Sequence, residues 1–266
     1  MSDAIAAAPC PRDLLAFAAH LADRAGAIAR AARTGDPAVS IKPDGTPVTD
    51  LDRAIEAALR AEILRVFPEH GVLGEEFPPH LPGAEHLWIL DPIDGTKEFL
   101  QGLPLWGTLI AHAAGGRLVL GLAEQPLTGD RFLGAEGHGA RWNDRPVTVR
   151  ACASLAEATI STMGYDSFCP AQHDRLAPLR ARARAVITAD SFLVFGLLAA
   201  GRVDAIVSSG FALHDFAALA TIVRCAGGEA SDWSGAPLGL GSGPDVLAAG
   251  DARLAGELRA RLAGAV

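Results

Sequence analysis

The stretch Trp88-Ile89-Leu90-Asp91-Pro92-Ile93-Asp94-Gly95-Thr96-Lys97-Glu98-Phe99 decides how this chain is read. Three bulky apolar residues lead into two carboxylates spaced i, i+3, and a Gly-Thr pair follows. The apolar triplet predicts a short buried strand. Pro92 pushes Asp91 into extended dihedrals, so the chain turns between the aspartates. Both then converge on one region, with the Ile93 carbonyl beside them. Carboxylate oxygens suit Mg²⁺, which takes octahedral oxygen coordination and keeps waters that a substrate displaces. Gly95 and Thr96 open a predicted helix through Phe99, where free N–H groups and a positive dipole end favour phosphate. Two aspartates in such a string can also act merely as caps. The buried Trp-Ile-Leu strand before them favours the ligand reading.

Three other segments carry chemistry of the same kind. Val72-Leu73 predicts a strand that delivers Gly74-Glu75-Glu76. Alone, such a pair is solvated charge; at a strand end, Glu75 is the candidate ligand and Glu76 its neighbour. Asp215, beside His214, opens a helix predicted over 215–226, a position where aspartate by itself often only caps. Lys42, Asp50 and Asp52 flank the start of another helix. Its N-cap is Thr49, and Leu51, Ile55, Leu59, Ile63 and Val66 line one face. One of the two aspartates is expected to reach a site.

Composition sets the bounds. The chain has 266 residues, 50% hydrophobic and 20% charged, values that allow one large domain or two modest ones. No run of about 18 apolar residues is present, so no membrane span is expected. The N-terminus carries Asp3 and no basic region before an apolar stretch, so it does not read as a signal peptide. Cys10, Cys152, Cys169 and Cys225 are scattered without a CxxC, which argues against a zinc site or a disulfide framework. A cytoplasmic protein is expected. A net charge of −8 argues against a nucleic-acid partner. An acidic protein that handles phosphate needs cations to neutralise its own site.

Periodicity predicts helix over 13–33, a loop or irregular hairpin over 35–49, and an antiparallel meander over 108–113, 118–123, 131–135 and 140–142. From about residue 154, apolar runs alternate with helical ones. Helix 191–200 closes at Gly201, strand 203–207 follows, and strand 246–249 is the final strand before a last helix. That alternation reads as α/β after an α+β first half. The expected parts are residues 1–148 and 149–266.

In this order, four segments resemble the inositol monophosphatase family: KPDGTPVTDLD (42–52), GEEF (74–77), WILDPIDGTKEF (88–99) and HDFAALATIVRCAGG (214–228). The resemblance covers nearly the whole chain. It implies a layered αβαβα sandwich of the inositol monophosphatase/fructose-1,6-bisphosphatase type, two or three Mg²⁺ ions per site and a homodimer. By this resemblance Glu75, Asp91 and the Ile93 carbonyl hold one metal, and Asp91, Asp94 and Asp215 hold a second. A third sits near Glu75. Thr96, oriented by Asp52, helps deprotonate a water, Glu75 shares in that catalysis, and the Gly95 and Thr96 amides bind phosphate. The first part would carry most metal ligands, and the second Asp215 and substrate contacts. No GxxxxGK(S/T) string is present, which disfavours a Walker-type nucleotide hydrolase.

The resemblance implies a small phosphorylated metabolite as the substrate. GLPLWGTLIA (102–111) and GLAEQP (121–126) resemble the histidinol-phosphate phosphatase branch, with Asp190 as a further substrate contact. Lys97-Glu98-Phe99 instead resembles the branch acting on adenosine 3′,5′-bisphosphate, and a broad inositol- or sugar-phosphate phosphatase is another alternative. Many relatives carry a glutamate at the position of Ser208, facing substrate hydroxyl or amino groups. Its replacement leaves Glu124, Asp166 or Asp190 to compensate. A non-catalytic metal-binding partner subunit is the alternative of another class, and it needs none of Glu75, Asp91, Asp94, Thr96 or Asp215.

Overall fold

The computed structural model describes residues 9–32, 38–43, 45, 47–163, 167–189 and 191–264. Helices α1 (Arg12–Ala32) and α2 (Asp50–Val66) each bury one stripe. In α1 it is Leu14, Ala18, Leu21, Ala22, Ala25 and Ala29; in α2 it is Leu51, Ile55, Leu59 and Ile63. The α2 N-terminus is closed by a reciprocal cap: the Thr49 hydroxyl accepts from Asp52 N at 3.3 Å and Asp52 Oδ2 accepts from Thr49 N at 2.8 Å. The segment before it, expected as a loop or an irregular hairpin, forms a small antiparallel pair, β1 (Val39–Ile41) and β2 (Pro47–Thr49).

A seven-stranded sheet follows in the order β3 (Gly71–Gly74), β4 (His86–Asp94), β5 (Gly107–Ala114), β6 (Arg117–Gln125), β7 (Asp130–Ala135), β8 (Gly139–Trp142) and β9 (Arg145–Val147). β3 runs parallel to β4; the rest is the expected meander. β4 is covered on both faces, so its run reads as continuously apolar rather than alternating. Trp88 and Leu90 pack with α1 and α2, while Leu87 and Ile89 join the core on the other face.

The second sheet has the order β11 (Ala185–Ile187), β10 (Thr159–Met163), β12 (Ala205–Ser208), β14 (Val246–Ala249), β13 (Glu229–Ser231). It is mixed: β10 is parallel to β11 and β12, and β14 is antiparallel to both its neighbours. The three-residue strands β11 and β13 are too short to leave a period in the sequence. Helices α5 (Leu193–Ala199) and α6 (Leu213–Cys225) lie between the two sheets, sharing a core with Ile89, Leu109, Ile206 and Ala248. Helices α4 (Pro170–Arg182) and α7 (Ala252–Leu262) cover the outer face through Leu176, Leu179, Leu254 and Leu258. The layers are therefore helix, sheet, helix, sheet, helix: the αβαβα sandwich expected. Among the described residues no helix is long and apolar enough to cross a membrane.

Candidate active site

β4 departs from its regular pairing with β5 between Asp91 and Asp94, where Pro92 withholds an N–H from the ladder. The Thr108 hydroxyl donates to the Pro92 carbonyl at 2.8 Å and fixes the bulge. Gly95 then adopts φ +83°, a left-handed conformation that favours glycine, and starts the five-residue helix α3 (Thr96–Leu100). In the adjoining helix layer, Asp215 lies in the first turn of α6 and accepts a hydrogen bond from Ala212 N at 2.7 Å. Asp91, Asp94 and Asp215 each offer a carboxylate oxygen, all within 4.8 Å of one another.

These carboxylates repel one another. Burial pushes the Asp91 carboxyl well above its ordinary value, and the charges of Glu75, Asp94, Asp215 and Asp52 push it further. Burial raises Asp215 too, against the opposing pull of His214 and of the Ala212 N–H. Asp91 Oδ1 and Asp52 Oδ1 are buried without a hydrogen-bond partner. Hard oxygen donors, mutual repulsion and orphaned lone pairs together fit divalent cations of the Mg²⁺ kind.

Glu75 leaves β3 beside the cluster. Lys42, from the β1–β2 connection, reaches Glu75 Oε1 and Glu76 Oε1 at 2.6 Å each. Burial alone would lower the Lys42 pKa, but its bonds to the two glutamates outweigh that and raise it. Glu76 is raised by burial against the pull of Lys42. A cavity of about 220 Å³ brings Glu75, Asp94, Gly95, Thr96 and Asp215 to one surface, with Ser167, Ser191, Ser209 and Phe211 on its farther wall.

Several expectations need correction. The Thr96 hydroxyl donates to the Ile93 carbonyl at 3.1 Å, while Asp52 bonds the Thr49 hydroxyl and amide. The Asp52–Thr96 pairing implied by resemblance is thus absent from the hydrogen bonds present. Ser208 is fully buried and donates to the Met163 carbonyl at 3.1 Å, so it does not face the cavity. Glu124 is tied to Arg131 and cannot serve as the compensating carboxylate. Asp166 and Asp190 lie outside the described residues. The branch-like strings mostly build the scaffold. A Cβ on Gly107 would meet Phe192 at 2.5 Å, and one on Gly121 would meet the Ala218 carbonyl at 2.2 Å.

A supporting pair, Glu56 and Arg60, stands behind the site. Glu56 is fully buried on α2 and accepts from Glu76 N at 2.7 Å and Phe77 N at 3.3 Å. Arg60 donates to Glu56 at 2.7 Å and to the Phe77 and Pro78 carbonyls at 3.1 Å. This clamp sets the loop that carries Glu75. Its signal in the sequence is the recurrence of Asp52, Glu56 and Arg60 at i+4 beside the apolar stripe of α2.

Comparison with known proteins agrees with the geometry. The inositol monophosphatase family's sequence profile matches residues 11–265. A histidinol-phosphatase of Mycobacterium tuberculosis is 37% identical over 231 residues, covering 84% of this chain and 88% of that protein. The chloroplastic bifunctional phosphatase IMPL2 of Arabidopsis thaliana is 33% identical over 217 residues, 81% of this chain. That match spans only 63% of the plant protein's length. Among solved structures, an inositol monophosphatase from Zymomonas mobilis superposes with a TM-score of 0.86 at 35% identity, covering 95% of this chain and 98% of that one. The chain therefore belongs to the inositol monophosphatase family, and it is a phosphoric monoester hydrolase.

Proposed function

We propose that this protein hydrolyses histidinol phosphate to histidinol and phosphate in a Mg²⁺-dependent reaction. The observation that carries the phosphatase part is the meeting of Asp91, Asp94 and Asp215 beside Gly95, Thr96 and Glu75 in one cavity. The histidinol part is supported by the similarity to the Mycobacterium tuberculosis enzyme. Glu75, Asp91, the Ile93 carbonyl, Asp94 and Asp215 would hold two or three cations. Such ions supply charge neutralisation for phosphate and a lowered pKa for bound water.

The chain's own groups do the rest. Gly95 and Thr96 bind and orient the phosphate at the cavity floor. The Thr96 hydroxyl, now on the Ile93 carbonyl, is free to rotate toward an incoming oxygen without moving its backbone. Asp52 keeps one unpartnered oxygen in the same acidic neighbourhood, where burial raises its pKa against the Thr49 bonds. Glu75, freed from Lys42, takes a proton from the attacking water. A cytoplasmic homodimer is the setting we assign to this activity.

The test is phosphate release from histidinol phosphate, inositol 1-phosphate, adenosine 3′,5′-bisphosphate and fructose 1,6-bisphosphate, with Mg²⁺ and with EDTA. Histidinol phosphate should give the highest kcat/KM, and EDTA should abolish turnover. Preference for inositol 1-phosphate would move the protein to the branch of the Zymomonas mobilis enzyme.

A further inference from the structure

Ser208 and its neighbour Ser209 have opposite fates. Ser208 ends β12 with its hydroxyl turned into the sheet; Ser209 lines the cavity while remaining only 4% exposed. β12 pairs with β14 so that Ser208 faces Val246. Continuing that register one step sets Ser209 beside Asp245. The Ser209 hydroxyl donates to Asp245 Oδ1 at 2.6 Å, and Gln172 Nε2 contacts both groups, at 3.1 Å and 3.0 Å. Gln172 is itself held, its Oε1 accepting from Cys169 N at 2.9 Å.

A hydroxyl has one proton and two lone pairs. Here the proton is committed to a carboxylate and one lone pair to an amide, which leaves one acceptor position on a residue that walls the cavity. The carboxylate behind it makes that oxygen more negative than an ordinary serine oxygen. Ser191 on the same wall spends its proton on the Leu105 carbonyl at 2.8 Å. We infer that the Ser209–Asp245 pair recognises a cationic N–H donor on the organic part of the substrate, with Ser209 as the contact and Asp245 as the positioning residue behind it.

This inference rests on the proposed substrate class and deepens it. Phe211 lines the same cavity. Glu98 is the competing carboxylate at the cavity, on α3.

The experiment measures kcat/KM for histidinol phosphate and inositol 1-phosphate in the parent, Ser209→Ala, Asp245→Asn and Glu98→Gln, with melting temperatures as the check on folding. Asp245→Asn keeps the shape and an acceptor but removes the charge. The ratio of the two kcat/KM values should fall about tenfold in Ser209→Ala and Asp245→Asn, mainly through KM. It should hold within about twofold in Glu98→Gln. A parent that prefers histidinol phosphate, with variants that keep the preference, overturns this inference and leaves the proposed function standing. Collapse in Glu98→Gln alone does the same. A parent with no preference overturns both the inference and the histidinol assignment, while leaving the phosphatase chemistry intact.

Discussion

Asp91 on β4 and Asp215 on α6 present carboxylate oxygens within 4.8 Å of each other, although they belong to different layers of the sandwich. Without a cation this contact destabilises the fold; a bound cation would join the two layers. Asp91→Asn should therefore lower phosphate release by more than about a hundredfold, beyond the loss usual for outer supporting residues. Its melting temperature without added metal should equal or exceed the parent's, because a buried repulsion is gone. The Mg²⁺-induced rise in melting temperature should shrink with it. Thermal melts with and without Mg²⁺, alongside a phosphate assay, check all three; retained activity would overturn the ligand assignment.

The Glu56–Arg60 clamp should be felt at a distance. Glu56→Gln leaves Arg60 without its carboxylate in a buried setting, and breaking such a pair costs about 3 kcal/mol. Denaturant unfolding measures that loss. Because the clamp sets the Glu75 loop, kcat should drop as well, and the Mg²⁺ concentration for half-maximal activity should rise. An unchanged Mg²⁺ dependence would separate the clamp from the site.

Gly74→Ala tests the same joint by crowding it. A Cβ there would meet the Glu56 carboxylate at 2.1 Å. Glu56 is fixed by Arg60 and by two backbone amides, so it cannot swing away cheaply. We expect a destabilisation of about 1–3 kcal/mol, read by the same unfolding experiment, and reduced turnover. The double variant with Glu56→Gln should lose less than the sum of the two, since they share one contact.

His112 governs an acid-side dependence away from the active site. Its ring packs against Trp88, His86 and His70, and both ring nitrogens are buried without partners. Burial, helped by His86 and His70, pushes its pKa from 6.5 down to about 3. A depressed pKa means that the unfolded chain binds the proton first. The stability from neutral His112 is present in full above about pH 6.5 and is lost as pH falls towards 3. His112→Phe keeps a ring and removes the titration. Between pH 6.5 and 5 its stability should fall less steeply, by up to about 1.4 kcal/mol per pH unit. Parallel slopes for parent and variant, from chemical denaturation at several pH values, would sink the assignment.

Much of this fold is local, and local structure is legible. The helical stripe of α2, its Thr49 cap, the apolar run of β4 and the Asp-Pro-Ile-Asp turn follow from residue spacing alone. β10, α4, β11 and β13 carry no individual signature in the sequence. Short strands buried by neighbours show no period of their own, and α4 has a weakly apolar face interrupted by charge. For β1–β2 the prolines and glycine leave loop and irregular hairpin equally open in the sequence, and the pairing of Val39 with Thr49 decides for the hairpin.

The sequence by itself determined the chemistry: which carboxylates are present, that Pro92 turns the chain between Asp91 and Asp94, and that Gly95 opens the next turn. Tertiary structure alone decided what each side chain reaches. It turned Ser208 into the sheet and Ser209 into the cavity, gave Asp52 to Thr49 and Thr96 to Ile93, and spent Glu124 on Arg131. The physical reason is that successive strand residues face opposite sides, so a one-residue difference decides between core and cavity. The partner found there is set by register with segments far away in the chain. Residue types and spacing fix what the site can do; the pairing of β12 with β14 fixes what it meets.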